Sequence, residues 1–260
     1  MQTVEEFLAY SAQLEQNLKP IDDLLGLIYL GSTADLQRVD QWSDHDFWVV
    51  VKDGTSEQYR QDLAWLPMHD QILFAPRDTQ HGLKVMYQNG HILEFAIFDD
   101  SELEIAGADD YSVPLDKTNI TARMAVIAGK STPKPIEPVA ALQLYLTTLT
   151  IGVGRARRGE TLIAHQFVHS FALAQFLGLL KHFVVPVTGS AKVADTLNPF
   201  RRVEKQYPQV AAALSDLFAL PLDAAAQGQL ALLQDTLQPH LSQQQVEHIN
   251  FVRAQLGWAD

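Results

Sequence analysis

Hydrophobic and polar positions follow two different rhythms along this chain. In the first half, short apolar runs alternate with helical patches. From Val4 to Leu18, apolar residues recur at helical spacing (Val4, Phe7, Leu8, Leu14, Leu18), and Pro20 ends the run. Leu24 to Leu30 is a short apolar run closed by Gly31, the pattern of a buried strand. Asp46 to Lys52 (DFWVVVK) predicts a second strand from its β-branched and aromatic content. Ser56 to Leu66 predicts a helix ending before Pro67, and Asp70 to Ala75 a third strand. Leu83 to Tyr87 and Ile92 to Phe98 flank Asn89-Gly90, whose positive-φ tolerance favours a tight hairpin. This half therefore reads as α+β, with an antiparallel pair late in the sheet.

The rhythm changes at 131–138 (STPKPIEP), where three prolines in a short polar run favour an extended connector. Beyond it, helical periodicity dominates: Val139 to Arg158, Leu162 to Phe183, Val203 to Phe218, Gln227 to Leu237 and Gln243 to Leu256. Pro and Gly loops separate these segments, as in a helical bundle. The expected organisation is an α+β domain over 1–130, a linker over 131–138 and an α-helical domain over 139–260. There is no internal repeat.

Composition narrows the class. A 260-residue chain that is 47% hydrophobic and 19% charged has the means for a real core. Its most apolar stretch, Phe167 to Val187, is broken by His169, Ser170, Gln175, Lys181 and His182, so no membrane span is expected. Met1 to Leu18 starts acidic and amphipathic, unlike a secretory signal, which makes the cytoplasm the expected location. Cysteine is absent, which removes disulfides, thiolate metal sites and a Cys nucleophile. A net charge of −12 opposes nucleic-acid binding, which needs Lys and Arg to neutralise phosphates. It suits a small or cationic ligand instead.

The candidate chemistry lies in Leu30 to Val51 (LGSTADLQRVDQWSDHDFWVVV). A strand ends, Gly31-Ser32 follows at a turn, and Asp44-His45-Asp46 leads into the next strand. Residues two apart on a strand share a face, so Asp44 and Asp46 point one way and His45 the other, where it packs behind the pair. Two carboxylates on one face repel unless a cation sits between them, and Mg²⁺ prefers carboxylate oxygens together with substrate phosphates. Gly31 lets the backbone approach a phosphate, and Ser32 can donate from its hydroxyl and amide. Glu94, flanked by Leu93 and Phe95 in an otherwise apolar strand, is the candidate third carboxylate, since a charge there is costly without a compensating partner.

Gly-Ser, a spacer of about ten residues, Asp-x-Asp and a later acidic strand residue together resemble the nucleotidyltransferase superfamily that includes the palm of DNA polymerase beta. Within it, the chain is most similar to the lincosamide and aminoglycoside adenylyltransferases. Asp110 to Asp116 (DYSVPLD), RARRGE (Arg155 to Glu160) and NPFRRVEKQYP (Asn198 to Pro208) share the likeness. The resemblance implies a polymerase beta-like mixed sheet with helices, followed by a helical substrate-binding domain with the active site in the cleft between them. It also implies that Gly31 and Ser32 hold the phosphates of ATP or another nucleoside triphosphate, and that Asp44 and Asp46 bind Mg²⁺. Glu94 would be a third metal ligand or the general base. Thr33-Ala34-Asp35-Leu36 departs from the family pattern, being acidic and lacking its Gly.

Other constellations are weaker. Arg155 and Arg158 could reach nucleotide phosphates, or simply complement a helix C-terminus. His165 and His169 share a helical face but lack the Glu of a zinc-protease motif. Gly152-x-Gly154 reads as close helix packing. Arg158 and His165 have a spacing similar to that of helical RNases paired with small nucleotidyltransferases in toxin–antitoxin systems. The expected function is Mg²⁺-dependent transfer of AMP or another nucleotide to a hydroxyl of a small molecule, by a monomer or homodimer. Trp42, Trp48 and Tyr87 suit a cationic or amphiphilic acceptor such as an antibiotic. A nucleotide-binding regulator with a degenerate site, and a toxin–antitoxin-like protein that AMPylates proteins, are the alternatives.

Overall fold

The computed structural model describes residues 3–130, 136–187 and 198–258, and the chain divides into two compact units, 1–132 and 133–260. The first is built on a six-stranded sheet of order β3-β4-β5-β2-β1-β6. Its strands are β1 (Leu24–Leu30), β2 (His45–Val51), β3 (Ile72–Phe74), β4 (Gly82–Tyr87), β5 (Ile92–Asp99) and β6 (Tyr111–Asp116). Only β2 and β5 pair in parallel, so the sheet is mixed. Pro114 lacks an N–H to donate and falls on β6, an edge strand.

Strand alternation splits the core into two layers. Helix α1 (Val4–Leu18) starts at a Thr3–Glu6 capping box and lays Tyr10, Leu14 and Leu18 over Leu27, Phe47, Val49 and Phe95 on one face. On the other face, Ile28, Val50 and Phe98 pack under Ile120, Met124 and Ile127 of α4 (Ile120–Lys130). That helix follows β6, where the sequence pattern named no element.

Two further segments differ from their sequence periodicity. The single-turn helix α2 (Gly31–Ala34) closes the β1 end, and α3 (Ser56–Gln61) stops five residues before the expected Leu66. After α3, the Asp62 carboxylate accepts from the Ala64 N–H (2.9 Å) and the Trp65 indole donates to the Tyr59 carbonyl (3.0 Å). These side-chain bonds replace helical ones and turn Trp65 into the core.

The second unit is helical: α5 (Pro138–Arg157), α6 (Thr161–Gln166), α7 (Leu173–Phe183), α8 (Val203–Gln206), α9 (Pro208–Leu217), α10 (Leu222–Leu237) and α11 (Gln243–Leu256). A π-helical turn, Phe167–Ala172, joins α6 to α7 without a break. Gln229 donates to the Val168 carbonyl within that turn (3.4 Å). Gly152 of α5 faces it so closely that a Cβ there would lie 2.8 Å from Val168, which bears out close packing at Gly152, whereas Gly154 meets only the distant tip of Arg158. The expected Val203 to Phe218 helix is broken at Tyr207, since Pro208 cannot continue it and restarts it at the first helical position. The 23-residue run Thr161–Phe183 is long and apolar enough to cross a membrane by composition, but its Phe176, Leu177 and Leu180 are buried in the core of this unit. Most of the connector, residues 131–135, lies outside the described residues.

Candidate active site

The antiparallel pairing of β1 with β2, and the parallel pairing of β2 with β5, bring the end of β1 and the starts of β2 and β5 to one side of the sheet. Gly31 follows β1, Asp44 precedes β2, Asp46 is its second residue, and Asp46 pairs directly with Glu94 on β5. Asp44, Asp46 and Glu94 each bring a carboxylate oxygen within 4.8 Å of the others. They are the one such metal-capable group among the described residues. At that spacing each pair of negative charges repels by about 1 kcal/mol even in a water-like dielectric, and by more where solvent is partly excluded. A divalent cation removes that repulsion with oxygen ligands of the kind Mg²⁺ prefers.

Gly31 is shaped by the same cluster. Its φ is +54°, and a Cβ on it would lie 3.0 Å from Asp46 Oδ2. The backbone thus approaches Asp46 more closely than nearly all residues with a Cβ do. Thr33, buried, accepts from the Asp46 N–H through its hydroxyl (3.0 Å) and ties the turn to β2. Ser32 is half-buried.

His45 takes the opposite face, as strand parity requires. Its ring stacks on Phe7 at 3.6 Å, its Nε2 meets Ser11 Oγ at 2.9 Å, and its Nδ1 meets His91 Nε2 at 2.8 Å. Ser11 Oγ already donates to the Phe7 carbonyl, so the Nε2–H tautomer of His45 satisfies it, and His91 then donates from Nε2 to His45 Nδ1. Burial, helped by His91, pushes His45 down to about 2; burial alone pushes His91 down to about 4. Both are neutral rings that brace β2 and β5 against α1, behind the acids.

Three residues escaped the sequence reading. Arg38, with its side chain only 16% exposed, donates to the Gly31 carbonyl and pairs with Asp35 (3.1 Å) and Asp110 (3.0 Å). It ties the Gly31 turn, the acidic loop and the entry to β6 together. Nothing in the sequence marks it beyond being a cation among acids. Thr33 is the second, in the loop that departs from the family pattern. Lys84 is the third: it pairs with Glu94 across the hairpin, its Nζ 3.5 Å from Glu94 Oε1. That partner was countable, because both residues stand five positions from Asn89.

Other expectations change. Glu94 is not a costly buried charge, since its side chain is 51% exposed; its place beside Asp46 is what singles it out. Of the aromatic residues expected to suit an acceptor, Tyr87 lies in the core, bonded to Tyr10 and the Pro67 carbonyl, and Trp48 packs edge-on against Phe98. Trp42 is 72% exposed. Arg155 and Arg158 both pair with Glu160 inside the helical unit, and Arg155 also lies over the Phe167 ring. His165 and His169 stack on each other, and His169 continues onto Phe218, with no third ligand among the described residues.

No protein-family model matches the chain, and no curated relative does. Solved structures do. An aminoglycoside 6-adenyltransferase from Bacillus subtilis is 12% identical, with all of both chains covered and a TM-score of 0.41. A nucleotidyltransferase-like protein from Exiguobacterium sibiricum is 11% identical over 96% of this chain and 80% of that one, with a TM-score of 0.30. A STING-associated c-di-GMP synthase, CdnE, from Capnocytophaga granulosa is 13% identical over 98% and 79%, with a TM-score of 0.31. At such identities and TM-scores these structures fix neither an activity nor a substrate for this chain.

Proposed function

We propose that this chain is a Mg²⁺-dependent nucleotidyltransferase that moves a nucleoside monophosphate, AMP from ATP in the first instance, to a hydroxyl of a small molecule. An aminoglycoside or lincosamide antibiotic is the first acceptor class to test. The observation that carries this reading is the meeting of Asp44, Asp46 and Glu94 within 4.8 Å beside a left-handed Gly31.

Each residue then has a defined task. The Gly31 backbone and the Ser32 hydroxyl receive the triphosphate. Asp44, Asp46 and Glu94 would supply the oxygens that hold Mg²⁺, and the bound ion would offset negative charge on the phosphates. The acceptor hydroxyl attacks the α-phosphorus, the bond to pyrophosphate breaks, and the hydroxyl proton passes to a base. Glu94 would be the third ligand to that ion or the base that takes this proton.

A pyrophosphate-release screen of ATP, GTP, CTP and UTP against aminoglycosides and lincosamides tests the reading. Release is expected with one nucleotide and a hydroxyl acceptor, and Asp46→Asn is expected to lower it at least about 100-fold with the circular dichroism spectrum unchanged, about 2.7 kcal/mol of transition-state stabilisation. Near-normal turnover by Asp46→Asn would sink the metal assignment.

A further inference from the structure

One acid of the cluster, Glu94, already has a cation beside it on the sheet. Lys84 points from β4 to the same face as Glu94, with which it pairs across the strands. Its ammonium stands 3.5 Å from Glu94 Oε1 and 3.4 Å from Asp78 Oδ2, between an acid of the cluster and an acid outside it. Asp78 is held in place: its N–H and that of Thr79 both donate to the Gly82 carbonyl, and Thr79 Oγ1 accepts from the Gly82 N–H. Glu94 and Asp78 together also hold the Lys84 amine charged, above the ordinary lysine range. Lys84 is about half exposed, so its long stem is free to swing.

We propose that Lys84 is a built-in counter-cation that competes with the metal ion for Glu94, and that Asp78 receives its ammonium when the ion binds. This deepens the metal-site reading above and rests on it. A metal entering beside Glu94 meets a like charge, so the bare ion binds weakly. Asp78 offers that charge a second carboxylate within reach, which lowers the cost of moving it. Loading is thereby biased towards an ion that arrives with the phosphates of a nucleotide, whose negative charge also attracts the displaced ammonium.

The test is Mn²⁺ affinity of the full chain at fixed pH and low salt, read from the free-ion electron paramagnetic resonance signal without nucleotide or acceptor. Lys84→Met is expected to tighten Mn²⁺ about 5-fold and Lys84→Arg to leave it near the parent, as the size of a single nearby charge requires. Asp78→Asn is expected to weaken Mn²⁺ about 2-fold in the parent and to have no effect in Lys84→Met, because Asp78 then has no ammonium to receive. An equal loss in both backgrounds would mean that Asp78 acts through its own field and would overturn the proposal. So would unchanged or weaker binding in Lys84→Met. Should the parent bind no Mn²⁺, the metal site itself fails and this inference with it, a result distinct from binding that ignores Lys84.

Discussion

Asp46 and Glu94 meet because a parallel register puts them side by side, and Gly31 comes close to Asp46 because it carries no Cβ. Each residue is placed by a neighbouring element rather than by its own strand. Gly31→Ala tests how tight that placement is. The left-handed φ strains any residue with a side chain by about 1–2 kcal/mol, and the new methyl would lie 3.0 Å from Asp46 Oδ2. Urea unfolding is expected to show a loss of that order, and Mn²⁺ titration a weaker site. A variant with parental stability and affinity would show that the turn relaxes without disturbing Asp46.

The element that braces the site is the α1–β2–β5 contact through His45 and His91. Both imidazoles are held neutral in the fold, His45 down to about 2 and His91 down to about 4, mainly by burial. Unfolded, each takes up a proton near pH 6.5. The folded pKa lies below the unfolded one, so the stabilisation is complete above about pH 6.5 and is lost as the pH falls towards 4 for His91. The expected slope is at most about 1.4 kcal/mol per pH unit for each ring. Urea midpoints measured between about pH 7 and about pH 5, above the range where ordinary carboxylates titrate, should fall steadily, and His91→Gln should flatten the fall by about half. A parent whose stability is flat across that window would mean that the pair is already charged or open to water.

For the whole molecule, the surplus of acids over bases gives a net charge of −12. A field of that sign draws cations towards clefts and is screened beyond about 10 Å at 0.1 M salt. If the acceptor is cationic, its KM is expected to rise several-fold as salt increases from about 20 to about 200 mM, while a neutral acceptor's KM holds steady. Equal salt responses for both would remove the charge argument for acceptor choice. The two units have separate cores, one formed by sheet and helix and the other by helices alone. Core composition therefore leaves the acceptor to be found by turnover.

Local rules settled much of this protein from sequence alone. The bounds of α1, β1 and α11, the hairpin at Asn89-Gly90, and the opposite faces of His45 and the Asp44/Asp46 pair all follow from periodicity, capping or strand parity, which act within a few residues. Where side chains compete with the helix ladder, the pattern misled, as at Asp62 and Trp65 after α3. Pro208 was visible and still needed the structure to show a break rather than a bend. The site's closure was decided by tertiary structure. Parallel pairing of β2 with β5 joins residues far apart in sequence and sets Glu94 beside Asp46. Arg38 and Thr33 then lock the Gly31 turn through contacts that no local spacing encodes. Sequence names the groups that can hold a metal, but long-range strand register decides whether they share one place, because that register depends on packing across the whole sheet.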